Sequence, residues 1–410
     1  MQAKRVGRDG MMATLGAWVF WSATAALIYI YAGFALLLAA AGRLRNRTVR
    51  KRSITPRLSM IVAAYNEESQ IRRKIDNSLD LDYPDDAFEL IIGSDGSSDA
   101  TEAIVTECND PRVHLYVFPR RGKIHVLNDC VPRASGTILL FSDANTLLDR
   151  QALKQLARNF ADPAVGGVCG NQIYRERHGS ESSGAGERLY WSYDKWLKAQ
   201  QTRCGSIVAA DGAIYAIRRE LYQPPPTAAV TDDFAISTGV VEQGRRLVFE
   251  SEALAYEPET QRAHEEFGRK VRIVVRGLRG VIMRRRLLNP FRYGFYSVVL
   301  FSHKVLRRLA PLLLLGLFAS SALLASSGDF FRVALSGQVA FYLLAGVGYV
   351  TRGQRIGRSK PLSAPFHYCL VNGAALVALV KLLRGTRIER WQTQRRSTVG
   401  EMEIRVGPTD

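Results

Sequence analysis

The distribution of apolar residues along this chain of 410 residues constrains its fold most strongly. Apolar runs lie near both ends, and they flank a mixed middle of roughly 200 residues that has the composition of a globular domain. A helix needs about 20 mostly apolar residues to cross a bilayer. The pattern therefore predicts one globular domain with membrane-spanning helices attached at both of its ends.

The first apolar run extends from about Met12 to Ala40 and predicts an N-terminal anchor in residues 1–55. It is too long for the apolar core of a signal peptide, and basic residues follow it instead of a clear cleavage site. The flank after the run carries more positive charge than the flank before it: Arg43, Arg45, Arg47, Arg50, Lys51 and Arg52 against Lys4, Arg5 and Arg8. Since the more basic flank stays in the cytoplasm, we expect a multi-pass protein of the inner (plasma) membrane with a cytoplasmic catalytic domain.

The C-terminal part of the chain contains three further apolar runs, at about Leu309–Ala325, Val333–Val350 and Pro365–Leu383. Residues 264–305 before them are basic and amphipathic, which predicts a segment in the membrane interface. We therefore assign 306–385 to a transmembrane region and 386–410 to a basic tail. Three spans that start in the cytoplasm would leave this basic tail outside, against the positive-inside rule. Either the last run is re-entrant, or one span is miscounted.

The middle, residues 56–263, alternates short apolar runs with helical patterns. The predicted order is strand, helix, strand, helix, strand, helix, strand, with these bounds: 58–64, 68–79, 88–93, 99–107, 113–118, 122–130 and 137–141. Short, uniformly apolar strands separated by helices are typical of a parallel sheet that is covered on both faces. The sequence thus predicts an α/β domain with a mainly parallel sheet.

The net charge of +18 is compatible with nucleic acid, an anionic membrane surface or a phosphate-bearing substrate as a partner. The basic residues lie mainly beside the apolar runs, which favours membrane lipid and argues against nucleic acid. The five cysteines are scattered without a Cys-x-x-Cys pair, so the sequence supports neither a zinc site nor a disulfide framework.

Polar residues follow four of the predicted strands: Tyr65-Asn66-Glu67-Glu68, Asp95-Gly96-Ser97-Ser98-Asp99, Arg120-Arg121-Gly122-Lys123 and Ser142-Asp143-Ala144-Asn145. Each group alone is also an ordinary turn, and Asp99 alone would serve as a helix cap. In doubly wound sheets, ligands bind beyond the carboxyl ends of the strands. Four such groups on one sheet edge therefore predict a ligand site.

Taken in order, these groups resemble the motifs of the family 2 glycosyltransferases, which have the GT-A fold. Ala210-Asp211-Gly212-Ala213 and Thr231-Asp232-Asp233 are similar to the family's acceptor-side segment and its T-E-D motif. Ser302–Arg307 and Gly385–Arg395 resemble juxtamembrane segments of membrane-bound members that make bacterial polysaccharides. The resemblance covers about residues 57–395 and implies a GT-A-like sheet with flanking helices and transmembrane helices at both ends.

The resemblance implies a nucleotide-sugar donor, a UDP-sugar, and a site for it. Tyr65, Glu67 and Asp95 correspond to positions that bind the nucleoside, and Lys123 is placed to pair with the diphosphate. A lysine in the first turn of a helix is opposed by the helix dipole, which favours a functional role over a solvated one. Asp211 and Gly212 are expected to shape the sugar and acceptor site.

Asp143 and Asn145 occupy the family's D-x-D position, which implies Mg²⁺ or Mn²⁺ as a cofactor. Such cations prefer hard oxygen ligands. Asparagine replaces the second aspartate here, so the amide oxygen of Asn145 is the weaker of the two expected ligands.

Asp233 resembles the family's catalytic base, and Asp232 beside it stands where the family has glutamate. An inverting transfer needs a carboxylate that takes the proton of the acceptor hydroxyl. Repulsion between the two carboxylates is expected to raise the pKa of Asp233. Thr231-Asp232-Asp233 is also a good start for a helix, and the two roles are compatible.

The chain departs from the processive members of the family, which carry Q-x-x-R-W after the base. The corresponding stretch is Arg269-Lys270-Val271-Arg272-Ile273, without glutamine or tryptophan. Arg272 either contacts the diphosphate or is one more basic residue at the interface. We therefore expect transfer to a lipid-linked or nascent polysaccharide acceptor, with polysaccharide export proteins as possible partners.

Three alternatives stay open. The first is a processive synthase of the cellulose, chitin or hyaluronan kind, for which about four spans are few. The second is a non-catalytic nucleotide-sugar sensor or export scaffold, and the retained Lys123, Asp143, Asp232 and Asp233 argue against it. The third is a nucleotidyltransferase, which would carry a glycine-rich basic loop where this chain has the acidic segment after Tyr65.

Overall fold

The computed structural model describes residues 2–175, 184–226, 230–258 and 263–386. Eight strands form one sheet: β1 (Leu58–Ala64), β2 (Phe88–Ser94), β3 (Val113–Val117), β4 (Ile138–Phe141), β5 (Leu147–Leu148), β6 (Val165–Arg175), β7 (Tyr215–Arg218) and β8 (Arg246–Pro258). The domain's helices are α3 (Ile71–Leu79), α4 (Thr101–Thr106), α5 (Lys123–Cys130), α6 (Ala152–Ala157), α7 (Gly184–Cys204), α8 (Asp232–Glu242) and α9 (Ala263–Met283).

The remaining helices belong to the apolar ends of the chain. They are α1 (Gln2–Ile28) and α2 (Phe34–Arg45) before the domain, and α10 (Pro290–Tyr293), α11 (Phe295–Leu300), α12 (Arg307–Leu324), α13 (Asp329–Val350) and α14 (Lys360–Leu383) after it. Among the described residues, four helical runs are long and apolar enough to cross a membrane: Met11–Arg45, Phe295–Leu324, Asp329–Val350 and Lys360–Leu383. The predicted helices at both ends of the domain are thus confirmed.

The strand order is β3-β2-β1-β4-β7-β6-β8-β5. The half built from β1 to β4 is parallel, as predicted, and all four predicted strands are present. Beyond β4 the sheet is mixed, because β7 runs antiparallel to both β4 and β6 while β6 pairs with β8 in parallel. The predicted mainly parallel sheet is therefore correct for the half of the sheet that carries most of the expected donor-site loops.

Strand β1 is buried along its whole length because helices cover both faces of the sheet. Alternate side chains point to opposite faces of a strand. Ile61 packs in the same cluster as Val126 of α5, whereas Met60 and Val62 pack in the cluster that contains Ile75 of α3. This two-sided burial explains why the strand sequence is continuously apolar instead of alternating.

The segment between α2 and the sheet is held against the domain. The Arg246 guanidinium donates hydrogen bonds to the carbonyl oxygens of Arg47, at 2.9 Å, and Thr48, at 3.2 Å. Lys51 forms an ion pair with the buried Glu250 at 2.8 Å. The basic residues after the first apolar run therefore also fix the domain relative to its anchor.

Helix α9 lies between the domain and α14. Its apolar side chains Val271, Val274, Val275 and Leu278 are buried in one cluster with Ala374 and Ala378 of α14. The expected amphipathic pattern is thus present, but α14 covers part of the apolar face. That segment 264–305 lies in the membrane interface remains a prediction. Most of the predicted basic tail, residues 387–410, lies outside the described residues.

Candidate active site

The loops after β1 and β2 are joined by side chain to backbone hydrogen bonds. Asn66 adopts a left-handed conformation with φ of 54°, which asparagine tolerates better than most residues. In this position its Oδ1 accepts a hydrogen bond from the backbone N–H of Ser98 at 2.8 Å. The backbone N–H of Glu67 donates to Thr101 Oγ1 at 2.8 Å. These bonds place Tyr65 and Glu67 beside the Asp95 loop, as the sequence predicted.

Asp95 is buried and holds the loop that precedes α5. Its carboxylate accepts hydrogen bonds from Arg120 Nη1 at 2.7 Å and from the backbone N–H groups of Arg121 and Gly122 at 2.7 and 2.9 Å. The Arg120 guanidinium lies 3.1 Å from the centre of the Tyr65 ring. Tyr65, Asp95 and Arg120 therefore form one wall of the site, and nucleoside binding by Asp95 remains a proposal.

Asp99 has a structural role in this loop. Its carboxylate accepts a hydrogen bond at 3.0 Å from the backbone N–H of Thr101, the first residue of α4. The side chain satisfies an N–H group that the helix itself cannot pair. The interpretation of Asp99 as a helix cap is the one that the geometry supports.

Lys123 joins two of the predicted motifs. Its ammonium lies 2.6 Å from Asp143 Oδ1 and 2.8 Å from Asp232 Oδ2. Burial opposes the charge of the ammonium, but Asp143 and Asp232 outweigh it and raise the pKa of Lys123. This lysine is therefore not a solvated residue of the first turn of α5. It brings the end of β4 and the start of α8 together at one charged centre.

Asp232 and Asp233 are the first two residues of α8, and their environments shift their pKa values in opposite directions. Burial pushes the pKa of Asp232 upward, but the Lys123 ammonium outweighs this and leaves the pKa below its usual range. Burial, followed by repulsion from Asp232, raises the pKa of Asp233 to about 6. Asp233 Oδ1 also accepts a hydrogen bond at 2.7 Å from the backbone N–H of Phe234. Two adjacent carboxylates thus have different proton affinities, a pattern typical of acid–base sites.

Asp143 and Asn145 follow β4 at the expected place, and both are partly exposed. The part of the chain that the structure describes contains no group of three or more His, Cys, Asp or Glu residues that could hold a metal ion. Mg²⁺ and Mn²⁺ sites of nucleotide enzymes often use only one or two carboxylates together with the substrate's phosphates. Asp143 and Asn145 supply one carboxylate and one amide oxygen, so this donor set would fit a divalent ion whose coordination the donor's phosphates complete.

Asp211 and Gly212 approach the same centre from the segment before β7. A Cβ atom on Gly212 would lie 3.4 Å from Asp143 Oδ2, so the two segments are in contact. Asp211 forms an ion pair with Lys198 of α7, and Lys198 also lies 2.9 Å from Asp194. Five of the predicted site residues, namely Lys123, Asp143, Gly212, Asp232 and Asp233, thus meet at one end of the sheet.

Arg272 lies on α9 among like charges. Burial and the neighbouring Arg276 and Arg269 lower its pKa. Arg276 Nε donates to the carbonyl oxygen of Val230 at 3.1 Å, just before Asp232. Of the three arginines, Arg276 is the one beside the start of α8, where its charge also helps to lower the pKa of Asp232. A contact between Arg272 and a diphosphate remains a proposal.

Sequence reasoning missed three residues of this region. Arg276 was one member of a long basic run, and Lys198 was one of many charged residues on a helix. Glu257 lies at the end of β8, where no motif marked it. Burial and the nearby Asp143 raise the pKa of Glu257, whose Oε1 accepts a hydrogen bond from Thr146 Oγ1 at 2.8 Å. The antiparallel pairing of β5 with β8, which sets Leu147 opposite Tyr256, places Glu257 beside Thr146, and no local sequence pattern reveals this pairing.

Comparison with known sequences identifies the domain. The model of the family described as Glycosyl transferase family 2 matches residues 59–224. The chain is 29% identical over 206 residues to poly-beta-1,6-N-acetyl-D-glucosamine synthase of Staphylococcus aureus, covering 48% of this chain and 49% of that protein. It is 30% identical over 189 residues to the synthase of the same name from Staphylococcus epidermidis, with 44% of each protein covered. The chain thus spans about half the length of the curated relatives it matches.

A solved structure shares the fold over a longer part of the chain. The mannosyltransferase of Pyrobaculum calidifontis, solved in complex with GDP-Man and Mn²⁺, superposes with a TM-score of 0.67 at 22% identity. The match covers 90% of this chain and all 100% of that one. The likeness confirms the expected GT-A-like α/β fold.

Proposed function

We propose that the chain is a family 2 glycosyltransferase that acts at the cytoplasmic membrane face. It transfers a sugar with inversion from a UDP-sugar to a lipid-linked or nascent polysaccharide acceptor, with a divalent cation. The contact that carries this proposal is the pairing of Lys123 with Asp143 at 2.6 Å and with Asp232 at 2.8 Å. It joins the expected diphosphate site to the expected catalytic pair. A sensor or scaffold would not require a buried carboxylate with a raised pKa beside such a centre.

The donor's nucleoside is assigned to Tyr65 and Asp95, which form one wall of the site with Arg120, and to Glu67 beside it. Lys123 and Arg272 carry the positive charge that a diphosphate needs, and Asp143 and Asn145 supply oxygen ligands for Mg²⁺ or Mn²⁺. A bound divalent cation would neutralise negative charge on the departing diphosphate. The Pyrobaculum mannosyltransferase, which shares the fold, was solved with Mn²⁺, and this supports a divalent cofactor here.

Asp233 is proposed as the general base. With a pKa of about 6, most Asp233 carboxyl groups are ionised at pH 7. The carboxylate is then a stronger base than that of an ordinary aspartate, which suits removal of a hydroxyl proton. The acceptor oxygen forms its bond to the anomeric carbon as the bond to the diphosphate breaks. Asp233 takes the acceptor proton and UDP leaves. Asp232 and Lys123 stay paired, and their pairing fixes the start of α8.

The acceptor is proposed to be a membrane-held saccharide. The catalytic domain is fixed to its membrane anchor, and α9, which packs on the apolar helix α14, lies beside α8 and its two carboxylates. The curated relatives are named as synthases of poly-beta-1,6-N-acetyl-D-glucosamine. Their names favour an N-acetylhexosamine as the transferred sugar. They also support a processive polysaccharide synthase as the second candidate function. The absence of Q-x-x-R-W in 269–273 favours one sugar at a time. Polysaccharide export proteins stay possible partners.

The chain is proposed to lie in the inner membrane with both ends of α14 on the cytoplasmic side. Helix α13 runs antiparallel to α12, since Gln338 Nε2 donates to Ser321 Oγ at 2.8 Å and Tyr342 packs on Phe318. The end of α13 therefore returns to the domain side, where α14 begins. At its other end, Arg279 of α9 donates to the carbonyl oxygen of Gly385 at 3.0 Å. If α14 does not cross the membrane, the basic tail after it stays in the cytoplasm, in agreement with the positive-inside rule.

A labelled-product assay tests the proposed function. Membranes that contain the chain are supplied with UDP-N-acetylhexosamine labelled in the sugar, and the products are separated by lipid extraction and by size. Label in a lipid-extractable product of one added sugar supports stepwise transfer. Label in high-molecular-weight material that grows with time supports the polymer synthase. No transfer from any UDP-sugar, with Mn²⁺ or Mg²⁺ present, would overturn both.

A further inference from the structure

Lys74 on α3 is a buried lysine that the proposed mechanism does not use. Its side chain is completely buried, with 0% exposure. Among the residues that the structure describes, no carboxylate forms an ion pair with its ammonium. Burial lowers the pKa of Lys74 to about 7, and Asp143 and Glu257 oppose this shift from a distance. Burial of an ammonium without a direct counter-charge costs free energy unless hydrogen bonds compensate for it. The hydrogen-bond partners of Lys74 therefore indicate its role.

The Lys74 ammonium holds both ends of the turn that carries Asp143 and Asn145. It donates hydrogen bonds to Ser142 Oγ and to the carbonyl oxygen of Thr146, each at 2.8 Å. These two residues directly flank the Asp143-Ala144-Asn145 triplet. The turn itself is closed by one backbone hydrogen bond of 3.2 Å, from the N–H of Thr146 to the carbonyl oxygen of Asp143. The lysine therefore supports the triplet from inside the domain.

The same contacts extend to the other segments of the site. Ser142 Oγ, which accepts from Lys74, donates at 2.9 Å to the carbonyl oxygen of Ala213, next to Gly212. Thr146 Oγ1 donates at 2.8 Å to Glu257. One turn further along α3, Asn77 exchanges two hydrogen bonds with the backbone of Leu148, at 2.8 and 2.9 Å. Helix α3 thus fixes the whole stretch from Ser142 to Leu148.

We propose that Lys74 is a positioning residue that sets the Asp143–Asn145 turn for the divalent cation and the donor diphosphate. It does not touch either ligand. A methionine at position 74 would fill the space but leave Ser142 and the Thr146 carbonyl without their donor, so the turn would relax. Loss of a residue that orients ligands of a metal typically weakens metal affinity by about 10- to 100-fold. This inference rests on the proposed cation site.

The test measures Mn²⁺ binding directly on the full chain purified in detergent. Free Mn²⁺ is followed by its electron paramagnetic resonance signal during titration, with UDP present. We expect Lys74→Met to weaken UDP-dependent Mn²⁺ binding at least about tenfold. The Mn²⁺ concentration that gives half-maximal UDP release should increase by a larger factor than the factor by which kcat at saturating Mn²⁺ decreases. A variant that merely unfolds part of the protein would lower kcat without this split.

Two further variants keep the inference testable. Lys154→Met is the control, because Lys154 lies on α6 with its side chain 41% exposed and pairs with Asp82 at the surface. Ser142→Ala removes one of the two hydrogen-bond acceptors of Lys74. This variant tests the inference if Lys74→Met does not fold. We expect it to lower the Mn²⁺ affinity several-fold. Unchanged affinity in folded Lys74→Met, or in Ser142→Ala, overturns the inference. Absence of UDP-dependent Mn²⁺ binding in the wild type would instead contradict the proposed cation site.

Discussion

Gly280 of α9 lies directly against the ring of Phe234 in α8: a Cβ atom at position 280 would be 2.7 Å from Phe234 Cδ1. Phe234 follows the proposed base Asp233, so this contact couples the packing of α9 to the catalytic pair. The contact also explains why a residue without a side chain is needed at this point of the helix.

Substitution of Gly280 by alanine should separate the two helices. The added methyl group has no space, and overpacking of this kind costs roughly 1–3 kcal/mol. We expect a lower melting temperature and lower activity for Gly280→Ala. Gly277→Ala is the matched control, since nothing lies within 4 Å of a Cβ atom at that position. Alanine favours a helix over glycine by roughly 0.5–1 kcal/mol, so the control should melt at the same temperature or higher. Equal melting temperatures for the two variants would contradict the contact.

The pH dependence of activity should report Asp233. Its pKa is raised to about 6 by burial and by Asp232, and the base must be ionised to accept a proton. We therefore expect kcat/KM to fall as the pH drops through about 6, by about tenfold per pH unit below it. In Asp232→Asn the neighbouring charge is absent, so the acidic limb should move to lower pH. An acidic limb that stays in place in this variant would show that Asp233 is not the titrating group.

Lys123 should be important for catalysis because it pairs with both Asp143 and Asp232. Lys123→Met removes the cation between Asp143 and Asp232 and one expected partner of the diphosphate. Loss of one preorganised electrostatic contact typically costs about 10²–10³ in rate. UDP release and UDP affinity, measured for Lys123→Met beside Lys154→Met, check this expectation. Activity of Lys123→Met within threefold of the control would exclude the proposed role.

The placement of α14 predicts which chain positions face the cytoplasm. Single cysteines at Gly328, Arg352 and Thr386 are introduced into a chain whose five native cysteines are replaced by serine. Position 352 lies between α13 and α14, position 386 follows α14, and position 328 lies between α12 and α13. A membrane-impermeant thiol reagent added to intact cells should label position 328 only. Labelling of position 386 from outside would show that α14 crosses the membrane.

Much of the donor half of the fold is predictable from local sequence. Short apolar strands such as β1 are recognisable because both of their faces are buried. Helix starts were misplaced by two or three residues: Glu68 and Asp99 lie before α3 and α4, and the backbone N–H of Glu68 donates to Asp99 Oδ2 between the two loops. The mixed half of the sheet was not predictable, because strands β5 to β8 do not follow the regular strand–helix alternation and β7 reverses direction against β4 and β6.

The same limit applies to individual site residues. Asp143, Asp232 and Asp233 were identified because they lie in motifs. Lys74 lies in an amphipathic helix beside Ile71 and Ile75, where a charged residue would ordinarily face solvent, and only the tertiary structure reveals that it is buried. Glu257 and Arg276 likewise become part of the site through contacts between distant segments.

The most direct test of the account is UDP release from a panel of UDP-sugars, by wild type and by Asp233→Asn, with and without Mn²⁺. We expect the wild type to release UDP from at least one donor, most strongly with Mn²⁺, when acceptor-containing membranes are present. Asp233→Asn should lower this rate by roughly 10²–10⁴, since it retains the shape of the site and removes the base. Equal release by the two proteins, or no release from any donor by the wild type, would contradict the account.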